Sequence, residues 1–214
     1  MKFNIKRDII ALIIITVSVI IACYYYIVLP PVVASHYNGS GFADIYSSKL
    51  KFILICLSFP IVIYALFTYF IYPKAIKKYY TTKLDIFFKL RDISVTFVAF
   101  IMTLLLSAGK NGAFPNNLLG IGVGLLIIIV GVYLPKIPYN YFFGIRNSWT
   151  LSSELVWNKT HKISGDSSIL GGLLIILLIL LKVRLGIIII VVMAPLGLFS
   201  IFIYPFILTI KLNK

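Results

Sequence analysis

Six apolar stretches, residues 9–29, 52–72, 93–108, 118–134, 169–181 and 185–210, limit what this chain can become. A helix needs roughly 20 apolar residues to cross the ~30 Å hydrocarbon core of a bilayer, and several of these runs approach that length. They are continuous rather than alternating, which excludes a transmembrane β-barrel. Only 12% of the residues are charged and the mean hydropathy is +1.05, where a soluble domain carries about 25% charged residues. The reading is an all-α, polytopic membrane protein with six transmembrane helices. A cytoplasmic amphipathic helix is expected between spans 4 and 5.

The net charge of +14 raises the question of nucleic acid. The Lys and Arg residues sit at the ends of the apolar runs, a pattern of topology and headgroup contact rather than of a phosphate groove. No direct nucleic-acid binding is expected, and the lipid itself is the first partner. Fifteen of the 20 basic residues fall in segments 1–8, 73–92, 135–168 and 211–214. The positive-inside rule then places both termini in the cytoplasm. Run 9–29 is longer than the 7–15-residue core of a signal peptide and reads as an uncleaved span. Cys23 and Cys56 lie within apolar runs without zinc-type spacing and read as two buried free thiols.

Residues 1–92 read as a two-span hairpin. Pro30 and Pro31 end its first helix, since proline removes a donor and disfavours the helical region before it. An outward loop follows, holding His36, Asn38, Gly39, Gly41 and Asp44. Segment 73–92 is the most basic of the chain, and its Leu84, Ile86, Phe87, Phe88 and Leu90 suggest an amphipathic piece lying on the bilayer surface. Residues 93–214 read as a four-span region. Gly120-x-x-x-Gly124 in span 4 permits close helix approach. Pro195 and Pro205 are candidate kinks in span 6.

The longest polar interruption is the loop 139–165. It gathers both tryptophans (Trp149, Trp157), the one glutamate (Glu154) and one of the two histidines, His161. Thr150 or Ser152 can cap a new helix with Glu154 in its first turn, where the helix dipole favours a carboxylate. Gly165 suits the end of that helix, so Ser153 to Ser164 reads as a short one. At 100° per residue, Leu155, Val156 and Ile163 share one side, which rests on the bilayer. Glu154, Trp157, Asn158 and His161 share the other. Arg146 follows the flexible Gly144 and is placed to pair with Glu154.

Catalytic signatures are missing: there is no His-Glu-x-x-His, no Gly-x-Ser-x-Gly and no phosphate-cradling glycine loop. One Glu and one His do not complete a metal site, and His36 falls on the far side of the membrane. No catalytic residue, metal or cofactor is expected. Paired ionisable residues inside spans would mark a transporter, and none is apparent in the runs.

The stretch from Asn140 to Gly165, NYFFGIRNSWTLSSELVWNKTHKISG, resembles the signature of the SdpI family of bacterial toxin-immunity membrane proteins, of the form GIRTPWTLSSE-x-VW-x-x-TH-x-x-x-G. Asn147 and Ser148 depart from the usual Thr-Pro, a loss that loosens the entry to the helix. Arg146, Trp149, Glu154, Trp157 and His161 are in place. Pro30-Pro31, His36-Tyr-Asn38, Gly41 and Asp44 resemble a second domain of unknown function often found N-terminal in the same proteins. The resemblance implies a bacterial inner-membrane protein giving immunity to a secreted peptide toxin. It also implies a signalling role, in which the toxin-bound protein captures a cytoplasmic winged-helix repressor. The residues it points to are Arg146, Trp149, Glu154, Trp157 and His161 in the signature loop, which Asn158 joins by its helical spacing, and Pro30, His36, Asn38 and Asp44 outside.

Overall fold

The computed structural model describes residues 5–39, 41–71 and 84–212. Six of its helices are long and apolar enough to cross a membrane, and the protein is a multi-pass membrane protein of the expected helical class. In chain order, α1 (Ile5–Val28) leads to strands β1 (Val32–Tyr37) and β2 (Ala43–Ser48), then α2 (Lys49–Ile71), α3 (Leu84–Asn111) and α4 (Asn116–Tyr133). A 3-10 turn (Leu134–Lys136) precedes the signature loop, and α5 (Glu154–Leu180) follows it. The last helical segment is composite: α6 (Leu185–Ile188), a π turn (Ile189–Met193), α7 (Ala194–Gly197), a π stretch (Leu198–Ile203) and α8 (Tyr204–Leu212).

The chain divides into two compact units, residues 1–119 and 120–214, with the division inside α4. In the first, α3 packs against both α1 and α2. The third span thus belongs with the first two, whereas the sequence pattern set a boundary at 92/93. The core at the hairpin end joins Ala22, Leu29, Val33, Phe52, Ile53, Cys56 and Leu106. Cys56 is buried there, but Cys23 faces out from α1, so only one of the two thiols is enclosed. Much of the rest of α1 is lipid-facing surface, with Ile20 and Ile27 strongly exposed.

The loop between α1 and α2 is an antiparallel β-hairpin with Val32 opposite Ser48, Tyr37 opposite Ala43, and register shifts on either side of His36. Val33 and Ala34 turn inward and are buried. Gly109 of α3 lies so close beneath that a Cβ there would meet Val33 Cγ1 at 2.6 Å.

At the other end of this unit an unforeseen ion cluster appears. Arg91 is fully buried and donates to Asp8, to Asp92 through Nε (2.9 Å) and Nη2 (2.8 Å), and to the Arg7 carbonyl (2.6 Å). Its guanidinium lies 5.1 Å from the ring centres of both Tyr64 and Phe88. Paired ionisable residues do therefore meet inside helices of spanning length. Asp8 and Arg91 lie 83 positions apart, so neither run shows the pairing by itself. The cluster also explains residues 84–92, expected as a piece resting on lipid. They are the first turns of α3, and Ile86, Phe87 and Phe88 are buried in the unit. The rest of the basic segment, 73–83, lies outside the described residues.

In the second unit, α4 and α5 pass back to back on glycine. A Cβ on Gly172 would lie 2.5 Å from the Gly124 carbonyl oxygen, and one on Gly165 would lie 2.7 Å from that of Gly131. The seam uses glycines seven apart on each helix, not the four-residue spacing of Gly120 and Gly124. Lipid tails are as apolar as leucine, so close packing rather than expulsion of water stabilises such a pair.

Candidate functional site

The signature loop folds as a knot tied to the first turns of α5. The helix starts at Ser153, whose extended backbone (φ −159°, ψ 138°) and side-chain oxygen cap the Leu155 N–H. The cap is thus neither Thr150 nor Ser152. Nor does the helix stop at Gly165: α5 runs on to Leu180 without a break. Its buried stripe, Trp157, His161, Ser164, Gly165, Gly172, Ile175 and Ile179, continues along one face from the polar half to the apolar half. Glycine costs about 1 kcal/mol in a helix interior, and here it is required by the Gly131 backbone rather than by a helix end. At 1.5 Å per residue these 27 residues extend about 40 Å, more than the hydrocarbon core, so the first turns have length to project from it.

Trp157 and His161 form the centre of the knot, both fully buried and stacked at 4.0 Å. The indole N–H donates to the Ile137 carbonyl (3.0 Å). Tyr139 meets the indole edge-on at 5.5 Å and donates its hydroxyl to the Leu151 carbonyl (2.8 Å). The Ile145 N–H points to His161 Nε2 at 3.1 Å, so that nitrogen is the acceptor. Nδ1 therefore carries the proton and donates to the Trp157 carbonyl (2.9 Å). This is the neutral imidazole with both nitrogens engaged, and no lone pair is left for a metal. Among the described residues no three His, Cys, Asp or Glu side chains gather as a metal would need.

Gly144 lies over this stack with φ +110°, and a Cβ there would lie 2.5 Å from His161 Nε2 and 3.0 Å from the indole. Two residues outside the sequence-derived site hold the rest. Buried Asn140 accepts from the N–H groups of Phe142 and Phe143 (2.7 Å each) and donates to the carbonyls of Pro138 and Phe143. Buried Thr150 donates to the Ile145 carbonyl (2.8 Å) and accepts from the Asn147 N–H (3.0 Å). Short polar side chains two or three residues from the backbone groups they bind are the available signal for such braces.

The face expected to present Glu154, Trp157, Asn158 and His161 together is therefore divided. Trp157 and His161 turn inward, with Val156 and Thr160, while Glu154, Asn158, Lys159 and Lys162 are exposed. Leu155 is 46% exposed and Val156 is 1%, so the expected apolar seat is divided too. Arg146 does not reach Glu154. It donates to the Tyr141 carbonyl at 2.7 Å, and among the described residues Glu154 has no ion-pair partner. Trp149 meets Phe206 of α8 edge-on at 5.4 Å. Asn147 bonds Thr150 and the Ile201 carbonyl, so the departure from the usual Thr-Pro does not leave this entry loose.

On the hairpin, His36 Nδ1 and Asp44 Oδ1 lie 2.6 Å apart across the strands, both substantially exposed. The Asn38 side chain accepts from the Phe42 N–H (3.0 Å) and fixes the turn, in which Gly41 takes φ +85°. Pro30 ends α1 and is exposed. Pro30, His36, Asn38 and Asp44 thus share one end of the first unit: two pair directly, one shapes the turn and one ends the helix.

The resemblance carried by the loop holds in the comparisons. Residues 136–208 match the SdpI/YfhL protein family. The chain is also 26% identical over 174 residues to the immunity protein SdpI of Bacillus subtilis (strain 168), a match covering 81% of each. No solved structure matches.

Proposed function

With the SdpI/YfhL match at residues 136–208 as premise, we propose that this membrane protein is an immunity protein, protecting a bacterial cell membrane against a secreted peptide toxin. One observation carries the reading. The residues of the matched loop that look least replaceable, Gly144, Trp157 and His161, are those that bind the loop to α5. The signature is thus a packed scaffold holding an exposed polar rim of Arg146, Glu154 and Asn158.

In this reading both termini and the rim are cytoplasmic, and the hairpin with His36 and Asp44 faces outward. The hairpin and the lipid-facing spans meet or exclude the peptide. The rim serves as a contact for a soluble protein, such as a winged-helix repressor held at the membrane. Charge supports that side: residues 134–168 carry four cations, Lys136, Arg146, Lys159 and Lys162, against Glu154 and Asp166. The test is expression in a toxin-sensitive bacterium with survival as readout and membrane accumulation measured beside it. Survival above the empty-vector control is expected. Unchanged killing of cells in which the protein accumulates would overturn the reading.

A transporter component is the second reading, favoured by the buried Asp8 and Arg91 and the partly buried Asp92. Two aromatic rings cover the guanidinium and it binds backbone as well as carboxylate. That enclosure suits a clasp between helices better than a transport pathway.

A further inference from the structure

Proline has no N–H, so Pro205 cannot donate to the carbonyl four residues back, Ile201, as an α-helix requires, or to the one five back, Ser200, as π winding requires. Both carbonyls have a side-chain donor instead. Ser164 of α5 donates its hydroxyl to Ser200 at 3.0 Å, in a buried bond. Asn147 of the signature loop donates its amide to Ile201 at 2.8 Å. The chain at this point is a π stretch, Leu198–Ile203, passing into α8. Pro205 itself is buried. A third contact, Trp149 against Phe206, falls one residue beyond it.

The carbonyl deprived by proline is Ser200 in π register and Ile201 in α register. Each is held from a different element, one by the helix and one by the loop. Rewinding the stretch by one residue moves the need for a donor from Ser164 to Asn147. Asn147 is also part of the loop's brace, because its side-chain oxygen accepts from the Thr150 N–H at 2.9 Å. A kinked helix whose freed carbonyls were exposed to lipid would leave them unsatisfied, which is costly in hydrocarbon. Here the loop and α5 supply the donors.

We propose that Asn147 and Ser164 are positioning residues that couple the signature loop to the winding of the last span at Pro205, so that a change in that span is transmitted to the loop. The proposal stands apart from the immunity reading, because it rests on hydrogen bonds within one unit and its test needs no toxin.

The test is amide hydrogen exchange on the full chain in lipid nanodiscs, following peptides that cover 137–153 and 198–208. Asn147→Asp keeps an oxygen to accept from Thr150 but removes the donor to Ile201. Exchange in 198–208 should accelerate about fivefold, the scale of one net hydrogen bond, while the loop changes by less. In a Pro205→Ala background the helix regains its own N–H, and the same substitution should leave 198–208 unchanged. Equal acceleration in both backgrounds, or none in the first, overturns the proposal. Should Pro205→Ala not accumulate, Ser164 gives a second measurement in the natural background. Ser164→Ala, which touches no loop residue's hydrogen bond directly, should accelerate exchange in both 198–208 and 137–153. Ser164→Thr, which retains the hydroxyl, should restore both. Acceleration confined to 198–208 would show that no coupling reaches the loop and would overturn the proposal.

Discussion

The imidazole of His161 accepts the backbone N–H of Ile145 at 3.1 Å, sixteen residues upstream, and this bond closes the signature loop onto its helix. A residue that helical spacing places on a polar face with Glu154 and Asn158 is thereby an internal strut. His161→Ala would remove that acceptor, leave the partly buried Ile145 N–H without it and open a gap beside the Trp157 ring. The expected cost is about 2–4 kcal/mol, read as a lower unfolding midpoint in detergent and reduced membrane accumulation. Gly144→Ala should act in the same direction, because its φ of +110° and the 2.5 Å approach to His161 leave no room for a methyl group. Normal accumulation and stability of both variants would contradict the knot.

The glycine seam makes a second prediction. Gly172→Leu must displace the Gly124 backbone, since even a Cβ would lie 2.5 Å from its carbonyl. Gly197 has open space around the corresponding position and is the control, expected to tolerate Ala with little change. A comparison of accumulation and proteolysis rates should separate the two, with Gly172→Leu degraded faster.

Arg91→Met should be among the more damaging single changes in the first unit. It leaves the buried Asp8 without its guanidinium partner, a loss that typically costs about 3–5 kcal/mol. Combining it with Asp8→Asn and Asp92→Asn removes the orphaned charges and should recover part of the loss. Thermal unfolding in detergent of the single and triple variants decides the point, and a triple variant no more stable than Arg91→Met would argue against the ion cluster as the cause.

The exposed rim should behave in the opposite way. Glu154→Gln and Asn158→Ala change exposed side chains that make no ion pair among the described residues, so accumulation should equal that of the unaltered protein. Under the proposed function they reduce toxin survival or repressor capture without reducing protein level. Full protection by both variants would remove the rim from the site and leave the loop a scaffold only.

Reporter fusions after Asn158 should read cytoplasmic, and fusions after Asn38 and Asn111 external, as the distribution of basic residues implies. An external signal at Asn158 would overturn both the orientation and the proposal that the rim meets a soluble partner.

The class of fold was legible because it depends on local quantities. Run length and hydropathy determine whether a helix can span a bilayer, and Pro30-Pro31 ends α1 through the chemistry of two adjacent residues. The loop was legible as a cluster because Trp149, Glu154, Trp157 and His161 are scarce residue types in this chain gathered within thirteen positions. The direction each one faces was not. Helical spacing places Trp157 and His161 beside Asn158, but spacing alone does not say which arc of α5 meets the folded-back segment 137–151. Gly165 was ambiguous for a related reason. A glycine that ends a helix and one that admits another backbone look the same in sequence, and only the position of Gly131 distinguishes them.

What the sequence determined by itself, then, was the set of spanning helices, the location of the polar loop and the family resemblance it carries, all set within short windows of chain. Tertiary structure decided which residues face inward, that Arg91 meets Asp8 from 83 positions away, and that Asn147 and Ser164 serve the carbonyls Pro205 leaves free. The physical reason is the same in each case. A buried charge, an orphaned carbonyl or a missing Cβ states a requirement at one position, and the group that satisfies it is selected by packing in three dimensions.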